Sequence, residues 1–344
     1  MDFGIVDSAV TDPMVHSGRH FGRTINAVIN MRRLVNDGIR RQMTTRREGA
    51  LLTDLPKEEQ IEHETFIALV KMVPGLINRL SDASDEELDH RLTYLQLQKG
   101  VNAARADDTK GLKSAIIDWI APPGQPLYPV LSRNNKIDRG FNHPRTGQML
   151  CPAAWDWNDD NIKKELRSGQ RKVPGEHWPT FVYEDYRYDP TEPWHGLFRG
   201  RLLVLAYKHI FTSPSSVDGE NKATRSGNAR IHGMSAVTLP SIAYVATQVR
   251  FALSSQSTFS RSDSVTDTER FYNSVMVLLR DKNELAEINE LITWWNRQIF
   301  AGYVSEEPVA EDTPLAKIRE RRERLNALAA ASSTVLPGSG SETH

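Results

Sequence analysis

The chain reads as a mainly α-helical protein: an irregular helix bundle carrying an aromatic- and proline-rich loop insertion with short strands. Three observations predict this. Apolar residues recur at helical spacing on both sides of the middle, as in Ile242, Val245, Ala246, Val249, Ala252 and Leu253. Helix start signals, either a proline or a Ser/Thr three residues before Glu, precede several of those stretches. From Pro122 to Pro193, by contrast, proline, glycine and aromatic residues recur without a sustained period.

In chain order, Ile25, Val28, Ile29, Val35 and Ile39 share one helical face, interrupted by Arg32. A second helix is expected from Pro56, where a missing N–H would be unpaired in any case, with Ile61, Thr65, Ala68, Leu69 and Met72 on one side until Pro74. Ser84 and Glu87 stand at capping-box spacing and open a third, which brings Leu88, Leu92 and Leu95 together. A fourth runs from Asp107 to Ile120 and ends at PPGQP.

The middle segment holds seven Phe, Tyr and Trp between Trp155 and Tyr188, too much apolar surface to leave in water, so it is expected to be ordered and to wrap the helices. One short helix is expected over 161–167. Leu202 to Tyr207 is apolar on all sides and predicts a buried helix. Thr238 and Pro240 open a helix that should be covered on both sides, because Tyr244 and Phe251 lie opposite its main stripe. Thr266 and Glu269 cap the next, with Phe271, Val275 and Leu278 inward. Asn283 caps the one after, whose stripe is Leu285, Ile288, Ile292, Trp295 and Ile299. The short connection makes these two antiparallel neighbours.

The organisation expected is an N-terminal helical region over 1–105 and a core domain over 106–305 with the loop-rich insertion at 122–193. A linker and charged helix follow over 306–330, and a tail over 331–344 has too little apolar surface to fold. Ile242, Val245, Val249, Ile288, Ile292 and Trp295 should share one core.

At 344 residues and 39% hydrophobic, the chain can bury a sizeable core, and no apolar run approaches the ~18 residues of a membrane span. The start, MDFGIVDSAVTDP, lacks the pattern of a secretory signal. The single Cys151 excludes an internal disulfide and a multi-cysteine zinc site, so an intracellular, cytoplasmic or nuclear protein is expected. Arg40, Arg41, Arg46 and Arg47 would suit a nuclear address or a solvated helix end.

Although the formal net charge is −1, residues 197–261 hold eight Lys or Arg against Asp218 and Glu220. At the centre is KATRSGNARIHGM, before a helix start, and guanidinium groups and helix N-terminal amides both favour anions. The candidate anion- or nucleic-acid-binding residues are therefore Arg199, Arg201, Lys208, Lys222, Arg225, Arg230, His232 and Arg250. The competing reading is a solvated or internally paired loop.

No catalytic signature stands out. GxxxxGK[ST] is absent, and no GxGxxG follows a strand. Asp156, Asp159 and Asp160, with Glu184, Asp185 or Asp189, have the oxygen chemistry for a divalent metal, but helix capping explains Asp159 and Asp160 equally well. Glu87 and His90 form a lone ExxH where a di-iron bundle needs two. Cys151 follows His143 by eight residues, which establishes no dyad, and Ser226 in RSGNA lacks a nucleophile elbow. Trp155, Trp157, Trp178 and Trp194 suit base stacking, but also serve as staples of an irregular segment. Neither a cofactor nor a catalytic residue is assigned.

The segments GLKSAIIDWI, DRGFNHPRTGQMLCPAAWDW, VPGEHWPTFVY, DPTEPWHGLFRGRLLVLAYKHIFTSPSS, KATRSGNARIHGM, IAYVATQVRFALSS and WWNRQIF resemble, in this order, a domain of unknown function present in many copies in mushroom-forming fungi. The resemblance spans about residues 107 to 325. It implies no activity and no catalytic residues; its many copies imply a link to mobile elements, and hence to nucleic acid, by association only. The leading expectation is an intracellular binding protein for an anionic partner, nucleic acid foremost, through residues 199–261. The alternatives are a protein-interaction scaffold without catalysis and a metal-dependent hydrolase or nuclease.

Overall fold

The computed structural model describes residues 12–48, 55–81, 86–212, 227–259 and 267–300, and parts of 313–325. Residues up to Ala301 group into one unit and those from Gly302 into another. In the second, the Lys317 amide donates to the Thr313 carbonyl (3.2 Å) and Arg324 pairs with Glu320 one helical turn away (2.8 Å), as expected of a charged helix. The Ser84 cap, Lys222, Arg225, Ser226, Arg261, Thr266 and the tail lie outside the described residues.

The first unit is a mainly helical, irregular bundle. Helix α1 (Pro13–Thr24) starts where the Asp12 side chain accepts the Met14 amide (2.7 Å). The face expected over Ile25 to Ile39 is broken, because Asn26 Oδ1 accepts the amides of Val28 and Ile29 and holds a turn. Asn30 then caps α2 (Met31–Glu48) through the Arg33 amide (3.1 Å). Helix α3 (Lys57–Met72) begins one residue after Pro56 and is followed by α4 (Leu76–Ser81).

The expected third and fourth helices are one. Helix α5 (Glu86–Ile120) runs 35 residues without interruption, so the boundary expected near 105 falls inside a continuous helix. Its buried line is Thr93, Leu97, Gly100, Ala104, Asp108, Leu112, Ile116 and Ile120, while Leu92 and Leu95 are 42% and 49% exposed. The correction is one of phase: the inward face lies a residue or two away from the leucines.

Helix α1 crosses α5 at glycines. A Cβ on Gly18 would collide with the Leu97 carbonyl, and one on Gly100 with that of Val15. This close approach lets α5 serve two cores. Its Leu97 and Val101 join Phe21, Leu34, Phe66 and Leu69 in a smaller N-terminal cluster. Its Leu112, Ile116 and Ile120 join the main cluster.

The insertion contains α6 (Pro144–Leu150), which no periodic signal announced, and α7 (Asp160–Ser168), within a residue of expectation. Instead of short strands, the described residues show two isolated bridges, Pro152 with Pro179 and Tyr183 with Leu197. The aromatics do hold it down. Trp178 Nε1 donates to Ser274 Oγ (2.9 Å) and Trp194 Nε1 to Glu284 Oε2 (2.7 Å).

Helix α8 (Arg201–Tyr207) continues into one π turn, and α9 (Asn228–Ile231) is a single turn. Helix α10 (Leu239–Leu253) starts with a capping box between Thr238 and Ser241, and every residue from Ser241 to Leu253 is buried. It is the axis of the main core. Helix α11 (Thr268–Leu278) packs on α10 and is capped by Asp267; α12 (Leu285–Ile299) packs on α8. The direct α11–α12 pairing expected from their short connection is not a principal contact, because Asp281 caps a 3-10 turn that redirects the chain. Leu285 is exposed, but Ile242, Val245, Val249 and Trp295 are fully buried in the main cluster, with Ile292 packed against it.

Candidate anion-binding cleft

One face of α5 presents Asn102, Arg105, Ala106, Thr109, Lys110 and Lys113, a helical i, i+3, i+4, i+7, i+8, i+11 series. The intervening acids turn elsewhere: Asp107 pairs with Arg19 (2.5 Å) and Asp108 with Arg23 (2.8 Å). The face is left basic. Opposite it, the last turn of α10 contributes Phe251, the chain leaving α10 contributes Ser257, Thr258 and Phe259, and the loop before α6 contributes Lys136. Together they enclose a cleft of about 400 Å³. Among the described residues, no carboxylate lines it, and neither Lys110 nor Lys113 has an ion-pair partner.

The cleft wall is built on two buried basic side chains. Lys136, 5% exposed, donates from Nζ to the Phe251 carbonyl (2.5 Å) and sits 3.3 Å from the centroid of the Phe251 ring. Arg139, 1% exposed, donates to the carbonyls of Ala252 (2.8 Å), Lys113 (2.7 Å) and Ser132 (3.0 Å), tying α10, α5 and the loop into one corner. Donors at the last carbonyls of α10, the Arg139 guanidinium among them, also complement its dipole. Burial, with Arg139 and Lys113 nearby, pushes the Lys136 amine down to about 7. Arg105 lies over the Phe259 ring (5.0 Å), which in turn packs on Phe251 (5.1 Å). The result is positive charge, three hydroxyls and a pair of aromatic rings around one recess, the chemistry of a phosphate site beside a stacking surface.

A second polar constellation lies where α1, α5, α9 and α10 meet. Arg23 grips both oxygens of Asp108 (2.8 Å each) and donates to Asn228 Oδ1 (3.1 Å), while the Tyr244 hydroxyl donates to Asp108 Oδ2 (2.5 Å). These atoms satisfy one another, so the network reads as structural. Above it, His232 stacks between His16 and His20, with ring centroids 4.2 Å from each. Burial, then Arg23 and His16, push the His20 imidazole down to about 4; burial, then His20, His16 and the two arginines, push His232 to about 3.

Residues 99–300 match the model of a family of unknown function, DUF6698. The chain belongs to that family. No curated protein and no solved structure matches the chain. The cleft lies wholly inside the DUF6698 region, whereas α1 to α4 lie outside it.

Within the DUF6698 region, the described residues among those singled out by charge stand in separate settings. Arg199 pairs with Glu290 (2.9 Å). Arg201 is exposed and rims a separate, larger groove of about 890 Å³ along Trp119, Pro122, Pro126 and Leu131, in which the other guanidinium, Arg133, is tied to Asp118. Lys208 is half-buried in the π turn, and Arg230 is exposed on α9. His232 is taken up by the histidine stack. Arg250 is 4% exposed over the Phe271 ring (4.8 Å) and lines a small recess with Phe141, Val173 and Ser254, away from the α5 cleft lining. Lys222 and Arg225 lie outside the described residues.

The other chemical readings meet local explanations. Asp156, Asp159 and Asp189 accept backbone amides two residues ahead, Asp160 pairs with Lys163, and among the described residues no three His, Cys, Asp or Glu are grouped to hold a metal. His143 caps α6, its Nδ1 accepting the Arg145 amide (3.1 Å) and its Nε2 donating to the Pro129 carbonyl (2.8 Å). Cys151 is fully buried, with its thiol pushed up to about 11. His90 contacts the Leu80 carbonyl (2.6 Å). Arg40 and Arg41 are paired with Asp37, Glu59 and Glu62. Among the described residues, no helix is long and apolar enough to cross a membrane.

Sequence reasoning missed Arg105, Lys110, Lys113 and Lys136. The signal was present as basic residues on one helical face, but Asp107 and Asp108 cancel it in any linear count. Lys136 comes from a loop, where no period exists to place it.

Proposed function

We propose that this protein binds an anionic partner, nucleic acid foremost, with the α5 cleft as a principal contact. The observation that supports this is the set Arg105, Lys110, Lys113 and Lys136 around a recess with Phe259, with no carboxylate among its described lining residues. Lysines without ion partners and a guanidinium suit phosphate oxygens, and hydroxyls of Ser257 and Thr258 add neutral donors. Arg230, exposed on α9, would extend the contact. An intracellular setting, cytoplasmic or nuclear, and an origin among fungi fit the single cysteine and the motif string. The test is an anisotropy titration of the full chain with single- and double-stranded oligonucleotides of mixed sequence at low and physiological salt. Binding at low salt that weakens steeply with salt is expected; no binding at low salt would refute the proposal.

A second reading, a protein-interaction module, has one observation in its favour. Tyr128 and Val130, in the segment that lines the groove at Trp119, are 89% and 80% exposed.

A further inference from the structure

Lys136 is an unusual group to find in the wall of an anion cleft. A lysine that only bound phosphate would stand on the surface, fully hydrated and fully charged. This one is 5% exposed, lies against the face of Phe251 and has one hydrogen-bond acceptor among the described residues, the Phe251 carbonyl. The charged groups that face it are all of its own sign. Lys113 lies along α5 and Arg139 follows on the same loop, while Phe251, Ser257, Thr258 and Phe259 bring no charge from the α10 side. An ammonium there has lost water and gained repulsion, and the α10 dipole and the ring quadrupole compensate only in part.

An anion entering the cleft reverses this balance. It supplies the missing opposite charge to Lys113 and Lys136 together and accepts the N–H bonds that the Phe251 carbonyl leaves over. We propose that the cleft takes a phosphodiester or similar oxyanion with uptake of one proton by Lys136, so that occupancy and the charge of this lysine are linked. The proton comes from solvent: the neutral amine and a hydrated proton give the ammonium, and the anion itself keeps its charge. This rests on the reading of the cleft as an anion site and names the regulation of that site. Burial of Lys136, which lowers its amine to about 7, makes the linkage operate near neutral pH. Lys110, exposed on α5, has no such enclosure.

The experiment uses the full chain and a hexamer of thymidylate, whose phosphodiesters do not titrate between pH 6.5 and 9, with sodium sulfate as a second probe. Calorimetric titrations at pH 8 in two buffers of different ionisation enthalpy measure protons taken up on binding. The wild type is expected to take up close to one proton per ligand, and its affinity is expected to fall up to about tenfold per pH unit above 7. Lys136→Arg, permanently charged, should keep the binding, lose the proton uptake and flatten the pH dependence. Circular dichroism verifies that this variant is folded; if it is not, the buffer comparison on the wild type still decides. Binding of the hexamer with no proton uptake would overturn this inference and leave the anion site standing, whereas no binding of either probe from pH 6.5 upward would overturn both.

Discussion

Arg23 and Asp108 face each other inside the protein with two parallel hydrogen bonds of 2.8 Å, at 2% and 7% exposure. The pair ties α1 to α5, and Tyr244 brings in α10. It also turns Asp108 away from the basic face of α5, as the Arg19 pair turns Asp107, so neither acid lines the cleft beside Lys110 and Lys113. Burial works against the Arg23 guanidinium, but the hydrogen bonds and charge of Asp108 outweigh it and raise the arginine above its ordinary value.

Removing one member leaves a buried charge alone. Asp108→Asn or Arg23→Met is expected to destabilise the protein by about 3–5 kcal/mol, read by urea denaturation. The double replacement should cost less than the sum of the two. An Arg23→Met variant as stable as the wild type would show that the pair is not the junction it is taken for.

The α1–α5 crossing gives an independent test. Gly18→Ala and Gly100→Ala each add a methyl group where the opposite backbone already stands, and each should cost about 1–3 kcal/mol. Gly124→Ala, with nothing near its Cβ position, meets no such clash; its positive φ of 70° makes the cost one of backbone strain alone.

In the main core, Trp295 is fully buried against Tyr207 (ring centroids 5.1 Å apart). Trp295→Ala should lower stability by about 3–5 kcal/mol. A thermal melt unchanged by that replacement would contradict the core assignment.

The histidine stack predicts acid sensitivity. His20 and His232 stay neutral in the folded protein down to about 4 and 3, whereas in the unfolded chain they take up protons near 6.5. Below 6.5 the unfolded state therefore binds more protons, and stability falls as pH drops from about 6.5 toward 4. The melting temperature of the wild type should decline through this window, and that of His20→Asn/His232→Asn should decline less. Equal slopes would mean that the stack does not govern the response.

Much of this fold was legible in the sequence because its signals are local. The stripe of α10 and the proline stop after α3 depend on neighbours three or four residues apart, and the structure bears them out. The break at Asn26 was hidden because a single side chain accepting two amides overrides an apolar period that continues past it. Merging of two expected helices into α5 was hidden because its inward face carries Gly100, Ala104 and Asp108 in place of a continued apolar stripe, and Gly100 there admits α1. The cleft was the least legible part. Arg105, Lys110 and Lys113 form a face only once the helix is drawn, and Lys136 reaches it from another segment.

The salt dependence of oligonucleotide binding by Lys110→Ala/Lys113→Ala tests the anion cleft most directly. Both side chains lack ion partners among the described residues and Lys110 is exposed, so the fold should survive the change. With single-stranded probe, the slope of log affinity against log salt should shrink by about 1.4, two phosphate contacts' worth, and affinity at low salt should drop. A folded double variant that binds with wild-type affinity and wild-type slope would contradict the account.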